Sequence, residues 1–244
     1  FAGRAANDGR RIRAGQRVVG YSPVLDGPRM HARFAVVPEN AIVALPDDVG
    51  DEAAAALCVM GLTAIEVLER ICPIGRGQRA LVIGAAGGFG AYAVQLAAHR
   101  GAEVTAVASG ANASFVLAQG AGDVRPYEAG PAFHAGDAFD LVIDAPATAS
   151  FRAAAPYLAR GGMYVSSNPM ADVGGLVAAW FSSRRAGWLM MLRTDPARLA
   201  RLIALAQDGA LRPAVGSVFD LDQADAAFDR FATRGKQGRV LLRL

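Results

Sequence analysis

The sequence has 244 residues, of which 53% are hydrophobic and 19% charged, with a formal net charge of +3. This length suits one large domain or two small ones, and the apolar fraction is enough for a sizeable core. The basic residues are scattered without a block, which argues against a nucleic-acid partner. Two cysteines without a CxxC pair, and no apolar run that could span a bilayer, favour a cytoplasmic protein with no membrane partner.

The first sixty residues have the pattern of short β-strands separated by proline. Arg17–Tyr21, Val36–Asn40 and Ile42–Pro46 are β-branched or apolar stretches bounded by turn residues. Asp47 and Asp48 then precede an alanine-rich segment that we expect to be helical. The chain begins with Phe rather than Met, so we expect it to lack the opening of a longer protein.

Four glycines in the seven residues 84–90 separate a buried strand from a helix. A pyrophosphate at a helix N-terminus needs bare backbone N–H groups, which side chains at Gly87 and Gly88 would block. The missing Cβ of Gly90 lets the helix pack closely on the strand. The flanking pattern predicts a strand at 80–83, a helix at 91–100 and a second strand at 103–108. This context predicts a dinucleotide site rather than a glycine turn of an unrelated domain.

The end of the second strand carries no acidic residue. Enzymes that use NAD keep an Asp or Glu near this point for the ribose 2′-hydroxyl, and an acid there would repel a 2′-phosphate. Residues 109–112 hold none, which favours NADP(H) over NAD(H). Arg125 is a candidate for a phosphate-binding cation, although as a strand residue we expect it to face solvent.

A further strand at 139–145, and a turn followed by a strand within 158–169, have polar residues near their ends. We interpret Asp144 as a strand-end carboxylate that binds backbone N–H groups, rather than as a catalytic acid. Ser166 and Ser167 have no paired base, and a serine without one is not a nucleophile. The sequence therefore argues against a hydrolase.

The stretch 172–194 holds both tryptophans among leucine and methionine residues. This stretch could form part of the core, a mobile substrate lid, a pocket wall or a subunit surface. We favour a pocket wall or a subunit contact, and we expect a homodimer.

The C-terminal part predicts two helices and a closing strand. Asp195 and Pro196 are typical of a helix start, with the helix running to Gln207 and ending at Gly209. The segment 222–233 predicts an amphipathic helix with both of its phenylalanines facing inward.

Several of these segments carry one family resemblance. The stretch 85–104, AAGGFGAYAVQLAAHRGAEV, resembles the AxGGVGxxAVQLAxxxGAxV motif of the medium-chain dehydrogenase/reductase superfamily, in its zinc-free quinone oxidoreductase-like branch. LCVMGLTA at 57–64 and LARGGMYVSSNP at 158–169 also resemble motifs of that branch. The resemblance extends over nearly the whole chain.

The resemblance implies an α/β fold with two parts. A doubly wound, six-stranded parallel Rossmann sheet would occupy about residues 62–190. An incomplete GroES-like β-rich substrate domain would comprise residues 1–61, and the chain would return to it over 191–244. The opening strands of that domain would lie outside this sequence.

The resemblance also implies the cofactor site. Thr63 would lie near the nicotinamide carboxamide and Tyr127 along the adenosine phosphate, while no catalytic residue is assigned. The full set of implied cofactor contacts is Thr63, Ala86, Gly87, Gly88, Phe89, Gly90, Ser109, Tyr127, Ala145, Ser166 and Lys236.

The implied activity is an NADPH-dependent oxidoreductase that delivers hydride to a small-molecule quinone or activated C=C bond. No zinc is expected, because Cys58 is one position out of register with the ligand of zinc-dependent relatives and the three histidines are scattered. Two alternatives stay open: an enzyme of another reaction class on this fold, suggested by Pro146 at a strand end, and a non-catalytic nucleotide-binding or structural protein.

Overall fold

The computed structural model describes residues 1–22, 30–189 and 195–244. The chain divides into two compact units, Phe1–Leu62 with Met191–Leu244, and Thr63–Met190. The described strands are β1 (Ala2–Arg4), β2 (Arg17–Gly20), β3 (Ile42–Ala44), β4 (Arg79–Ile83), β5 (Glu103–Ala108), β6 (Asp123–Pro126), β7 (Phe139–Asp144), β8 (Leu158–Ser166), β9 (Arg185–Trp188), β10 (Val215–Asp220) and β11 (Arg239–Arg243). The described α-helices are α1 (Asp51–Ile65), α2 (Gly88–His99), α3 (Ala113–Ala118), α4 (Phe151–Ala154), α5 (Val173–Ala179), α6 (Pro196–Gln207) and α7 (Ala224–Ala232).

The first unit is β-rich. Strands β1, β2 and β3 form an antiparallel sheet in that order, and β10 and β11 form a separate parallel pair. Ile12, Val18 and Ile42 make a small core beside the antiparallel sheet. Each of these sheets has too few strands to bury much apolar surface alone, so this unit depends on its helices for a core.

Helix α6 begins and ends as the sequence predicts. The Asp195 carboxylate accepts a hydrogen bond from the Ala197 N–H at 3.0 Å, and Gly209 after the helix has a φ of +72°. The prediction for α7 is wrong in one respect, because Phe228 and Phe231 are both more than half exposed. Within α7 only Ala227 is buried. The helix has nine residues and packs on the two-stranded β10–β11 pair, which buries only a narrow part of its surface.

The second unit contains a six-stranded sheet in the order β6-β5-β4-β7-β8-β9. All of its neighbouring strands are parallel, which confirms the predicted doubly wound sheet. The central strand β4 has the sequence RALVI and is buried from Ala80 to Ile83. A continuous apolar run of this kind is what a strand covered on both faces requires.

The strand order reverses at β4. From β4 the chain adds β5 and β6 on one side of the sheet, and then crosses over to add β7, β8 and β9 on the other. The connections that leave β4 and β7 therefore diverge at their carboxyl ends and open a crevice between them. This crevice lies where the glycine-rich turn follows β4.

The apolar stretch predicted at 172–194 includes α5 and β9, while residues 190–194 lie outside the described part. Helix α5 packs against β9 and α4. Among the described residues, no helix is long and apolar enough to cross a bilayer.

Candidate nucleotide-binding site

The turn after β4 is held to the neighbouring strand by its backbone. The N–H groups of Gly84 and Ala85 donate to the Val107 carbonyl at 3.0 and 3.1 Å. Gly84 has a φ of +75°, and a Cβ built on it would lie 2.8 Å from Cδ of Pro146. A larger residue at Gly84 would therefore be strained and would collide with the end of β7.

Helix α2 starts at Gly88, three residues before the predicted start at Ala91. Gly87 is its N-cap, in an extended conformation and without a side chain to satisfy the first turn. The first helical bond joins the Ala91 N–H to the Gly87 carbonyl at 2.9 Å. Within the described residues, the N–H groups at 88–90 have no acceptor. These donors, at the positive end of the helix dipole, form a site that suits an anion.

Gly90 and Gly87 differ in the space around them. A Cβ on Gly90 would lie 2.2 Å from the Gly84 oxygen and 2.8 Å from Cα of Ala85, so the predicted close packing of Gly90 is confirmed. A Cβ on Gly87 would meet only the Gly84 oxygen, at an ordinary 3.4 Å. Gly90 is therefore required by the fold, whereas a side chain at Gly87 is tolerated by the chain itself.

Ser109 and Tyr127 follow the adjacent strands β5 and β6. The Tyr127 N–H donates to the Ala108 carbonyl at 3.0 Å, which sets the two strand ends side by side. Ser109 is 7% exposed, and its Oγ has no hydrogen-bond partner within the described residues. Since a buried hydroxyl without a partner costs free energy, this group is suited to a polar ligand atom.

Arg125 does not face solvent, contrary to expectation. Its guanidinium makes two hydrogen bonds to the Asp137 carboxylate, at 2.7 and 2.9 Å, and lies over the Phe139 ring. The hydrogen bond from Arg125 lowers the pKa of Asp137 below its usual range. The charge of Arg125 is therefore already paired, and it fixes the loop between β6 and β7.

Glu128 is a polar residue of this site that the sequence pattern does not predict. Its Oε2 accepts a hydrogen bond from the Gly110 N–H at 3.1 Å, next to Ser109. The acid typical of NAD sites lies at the end of β5, whereas this carboxylate comes from the residues after β6. The signal in the sequence is the position of Glu128, two residues after β6 ends, because neighbouring parallel strands bring their carboxyl ends to the same edge of the sheet.

Asp144, at the end of β7, is fully buried. Its carboxylate accepts from the N–H groups of Thr148 and Ala149, at 3.2 and 2.7 Å, and from the Tyr164 hydroxyl at 2.8 Å. Burial, followed by the charge of Asp144, raises the pKa of Tyr164 above its usual value. The interpretation of Asp144 as a strand-end carboxylate that binds backbone N–H groups is confirmed.

Ala145 and Ser166 lie together where β7 and β8 end. Asp144 pairs in register with Ser166, and the Ser167 hydroxyl donates to the Ala145 carbonyl at 2.8 Å. The Ser166 Oγ accepts from the Asn168 N–H at 3.2 Å. These contacts stabilise the ends of the strands beside the crevice and give neither serine a general base.

Two predicted cofactor residues lie elsewhere in the chain. Thr63 belongs to α1, and Lys236 belongs to the first unit, between α7 and β11. The Lys236 ammonium donates to the Thr233 carbonyl at 3.1 Å and lies over the Phe231 ring. The carboxyl edge of the parallel sheet brings together the remaining predicted residues, which are Ala86, Gly87, Gly88, Phe89, Gly90, Ser109, Tyr127, Ala145 and Ser166.

Both cysteines are free and buried. Burial raises the pKa of the Cys58 thiol to about 11, so the thiolate form that binds metals is disfavoured. Over residues 1–22, 30–189 and 195–244, no group of three or more His, Cys, Asp or Glu side chains is arranged to hold a metal ion.

Comparison with known proteins identifies the family. Residues 119–242 match the family model described as a zinc-binding dehydrogenase. A chloroplast envelope quinone oxidoreductase homolog from Arabidopsis thaliana is 30% identical over 249 residues, which cover 96% of this chain and 74% of that protein. The trans-enoyl reductase pgmF from Aspergillus terreus is 26% identical over 253 residues, covering 96% of this chain and 70% of that protein.

A mycobacterial protein solved in complex with NADPH has the same fold, with a TM-score of 0.83 and 26% identity over 99% of this chain and 80% of its own. The glycine turn at the point where the strand order reverses indicates the same family as the similarity along the whole sequence. The chain belongs to the medium-chain dehydrogenase/reductase superfamily, in its quinone oxidoreductase-like branch.

Proposed function

We propose that this protein is an NADPH-dependent, zinc-independent oxidoreductase that reduces a small-molecule quinone or an activated C=C bond. The observation that carries the proposal is the first turn of α2, which lies at the carboxyl edge of a parallel sheet and whose N–H groups have no acceptor in the described part of the chain. The point of strand-order reversal is where open α/β sheets bind their ligands.

The cofactor would bind along this edge. The N–H groups at 88–90 would hold the pyrophosphate, since they have no acceptor among the described residues. Ser109 and Tyr127 would contact the adenosine end, and the unpaired Ser109 Oγ supports this role. Ala145 and Ser166 would border the nicotinamide, beside Gly84 and Pro146. The NADPH complex of a mycobacterial relative supports the choice of cofactor.

The reaction class follows from the relatives and from the side chains at the crevice. Bound NADPH would supply the hydride, and relatives named as a quinone oxidoreductase homolog and a trans-enoyl reductase support a quinone or a conjugated alkene as acceptor. Asp144 is committed to Thr148, Ala149 and Tyr164, so it is not available as an acid. The protein would act mainly by orienting the two reactants and excluding water.

Zinc independence is supported by the state of the cysteines. The Cys58 thiol is buried and hard to ionise, and the described residues contain no cluster that could ligate a metal. Elemental analysis of purified protein should give much less than one zinc per chain. One zinc per chain that resists chelation would contradict this part of the proposal.

The subunit arrangement would be a homodimer formed through the second unit. Met170, Trp180 and Phe181 are 78%, 84% and 88% exposed. Trp180 and Phe181 directly follow α5, which packs against β9, the last described strand at one edge of the sheet. Exposed aromatic side chains beside an open sheet edge are suited to a second copy of the same surface, related by a two-fold axis.

We also assign the protein to a reducing cytoplasm, which the two free buried cysteines support. Fractionation of the source organism would test this assignment. Recovery of the protein in an oxidising compartment would contradict it.

The activity is tested by following NADPH oxidation with the full-length protein. The acceptors should include quinones, enones and enoyl thioesters, with simple aldehydes as the comparison. We expect turnover with at least one of the first three classes, and no loss of turnover after treatment with a chelator. Reduction of aldehydes alone, or activity that needs added zinc, would contradict the proposal.

A further inference from the structure

The adenosine end of the candidate site contains a carboxylate where the sequence predicted none. Glu128 Oε2 accepts from the Gly110 N–H at 3.1 Å, and Gly110 directly follows Ser109. Glu128 and Gly110 are eighteen positions apart in the chain, and their contact joins the ends of β5 and β6.

The position of Glu128 is set by the sheet. Ala108 pairs in register with Pro126, and the Tyr127 N–H donates to the Ala108 carbonyl at 3.0 Å. Farther along the loop, Arg125 binds both Asp137 and the Ala132 carbonyl. Glu128 therefore lies between two fixed points. The sheet holds the strand end before it, and the contacts of Arg125 hold the loop after it.

Glu128 places a carboxylate at this end of the site. Arg125, the candidate cation, is paired with Asp137 and does not compensate Glu128. Within the described ranges, Glu128 takes part in no ion pair. Over the same ranges the buried Ser109 hydroxyl has no hydrogen-bond partner, and Glu128 binds the N–H of the next residue, Gly110, so a ligand group at Ser109 would lie close to the Glu128 carboxylate.

We propose that Glu128 is the residue that sets the nucleotide preference of this site. Its carboxylate repels the 2′-phosphate of NADPH and accepts a hydrogen bond from the ribose 2′-hydroxyl of NADH. The protein therefore binds NADPH with only a weak preference over NADH. This inference rests on the proposed function, since it concerns the adenosine end of the same cofactor site.

The test is Glu128→Gln, which removes the charge and keeps an oxygen that can accept from Gly110. Glu103→Gln is the matched control, because Glu103 is also exposed and begins β5 at the opposite end of the strand. Calorimetric titration with NADPH and with NADH gives both dissociation constants. We expect Glu128→Gln to bind NADPH about five to ten times more tightly than the parent and to bind NADH equally or less tightly.

The parent and both variants should melt at the same temperature, because both glutamates are exposed. The inference is overturned if Glu128→Gln changes the ratio of the two affinities by less than about twofold. An equal effect of Glu103→Gln would also overturn it, because the effect would then be one of overall charge. A parent protein that binds neither nucleotide would overturn the proposed function itself, which is a different result from binding with an unchanged ratio.

Discussion

Two glycines of one turn have different physical roles. The Cβ that any other residue would add at Gly90 would overlap backbone atoms of the preceding turn, whereas at Gly87 it would meet one oxygen at contact distance. The spacing of the glycines in the sequence is enough to predict the role of Gly90, because close helix–strand packing is a local property. The contact between Glu128 and Gly110 was not predictable in this way, since it depends on how two separate strands pair.

Gly90→Ala should destabilise the protein by about 2–4 kcal/mol, because neither the helix nor the turn can move away without losing backbone hydrogen bonds. Chemical denaturation measures this loss as a lower transition midpoint. Gly87→Ala is the control, and its stability should stay within about 1 kcal/mol of the parent. Equal stability of Gly90→Ala and the parent would show that the helix does not pack on the strand as described.

At the scale of elements, strand type and order were predictable, and helix faces were less so. The apolar run of β4 predicts a strand buried on both faces, and Ala80–Ile83 are buried in the sheet. The sequence predicts the start of α2 at Ala91, because a glycine run has low helix propensity. The helix begins three residues earlier, at Gly88, because tertiary packing overrides that preference. In α7 the apolar pattern did not indicate how little surface the two-stranded β10–β11 pair covers.

The loop between β6 and β7 is held by the close ion pair of Arg125 and Asp137, whose side chains are 12% and 5% exposed. Asp137→Asn would remove both close hydrogen bonds of Arg125 to a carboxylate and leave it, among the described residues, only the exposed carboxylate of Asp123, 3.7 Å away, so we expect a loss of about 3 kcal/mol at neutral pH. Urea denaturation measures this loss of folding free energy. Asp123→Asn, with a side chain that is 63% exposed, should lose much less.

The same pair predicts a pH dependence. Because the pKa of Asp137 is lower in the folded than in the unfolded protein, its contribution is fully present above the unfolded value of about 4. It is lost as the pH falls through the lower, folded value. The difference in stability between the parent and Asp137→Asn should therefore be constant from pH 7 to pH 5 and shrink at pH 3. A difference that grows on acidification would contradict this account.

At the scale of the whole molecule, the proposed dimer is the main feature that one chain does not determine. The sequence identified 172–194 as an unusual apolar stretch but left its role open, because burial within a chain and burial between chains have the same composition. Replacing both Trp180 and Phe181 with Asp should give a monomer in analytical ultracentrifugation. Phe34→Asp is the control, since Phe34 is 85% exposed in the first unit and should leave the dimer intact. A double variant that sediments like the parent would rule out this surface.

The central claim is that the first turn of α2 binds the cofactor pyrophosphate, and Gly87→Asp tests it most directly. Aspartate is a favourable N-cap residue, and the extended backbone at Gly87 accepts it, so the melting temperature without ligand should stay equal or rise slightly. The same carboxylate would repel a bound pyrophosphate.

The measurement is the rise in melting temperature that NADPH produces in the parent, in Gly87→Ala and in Gly87→Asp. A ligand that binds only the native state raises the melting temperature, so we expect a clear rise for the parent, a smaller one for Gly87→Ala and none for Gly87→Asp. A full rise in Gly87→Asp would contradict the account, because the pyrophosphate would then not lie on this turn.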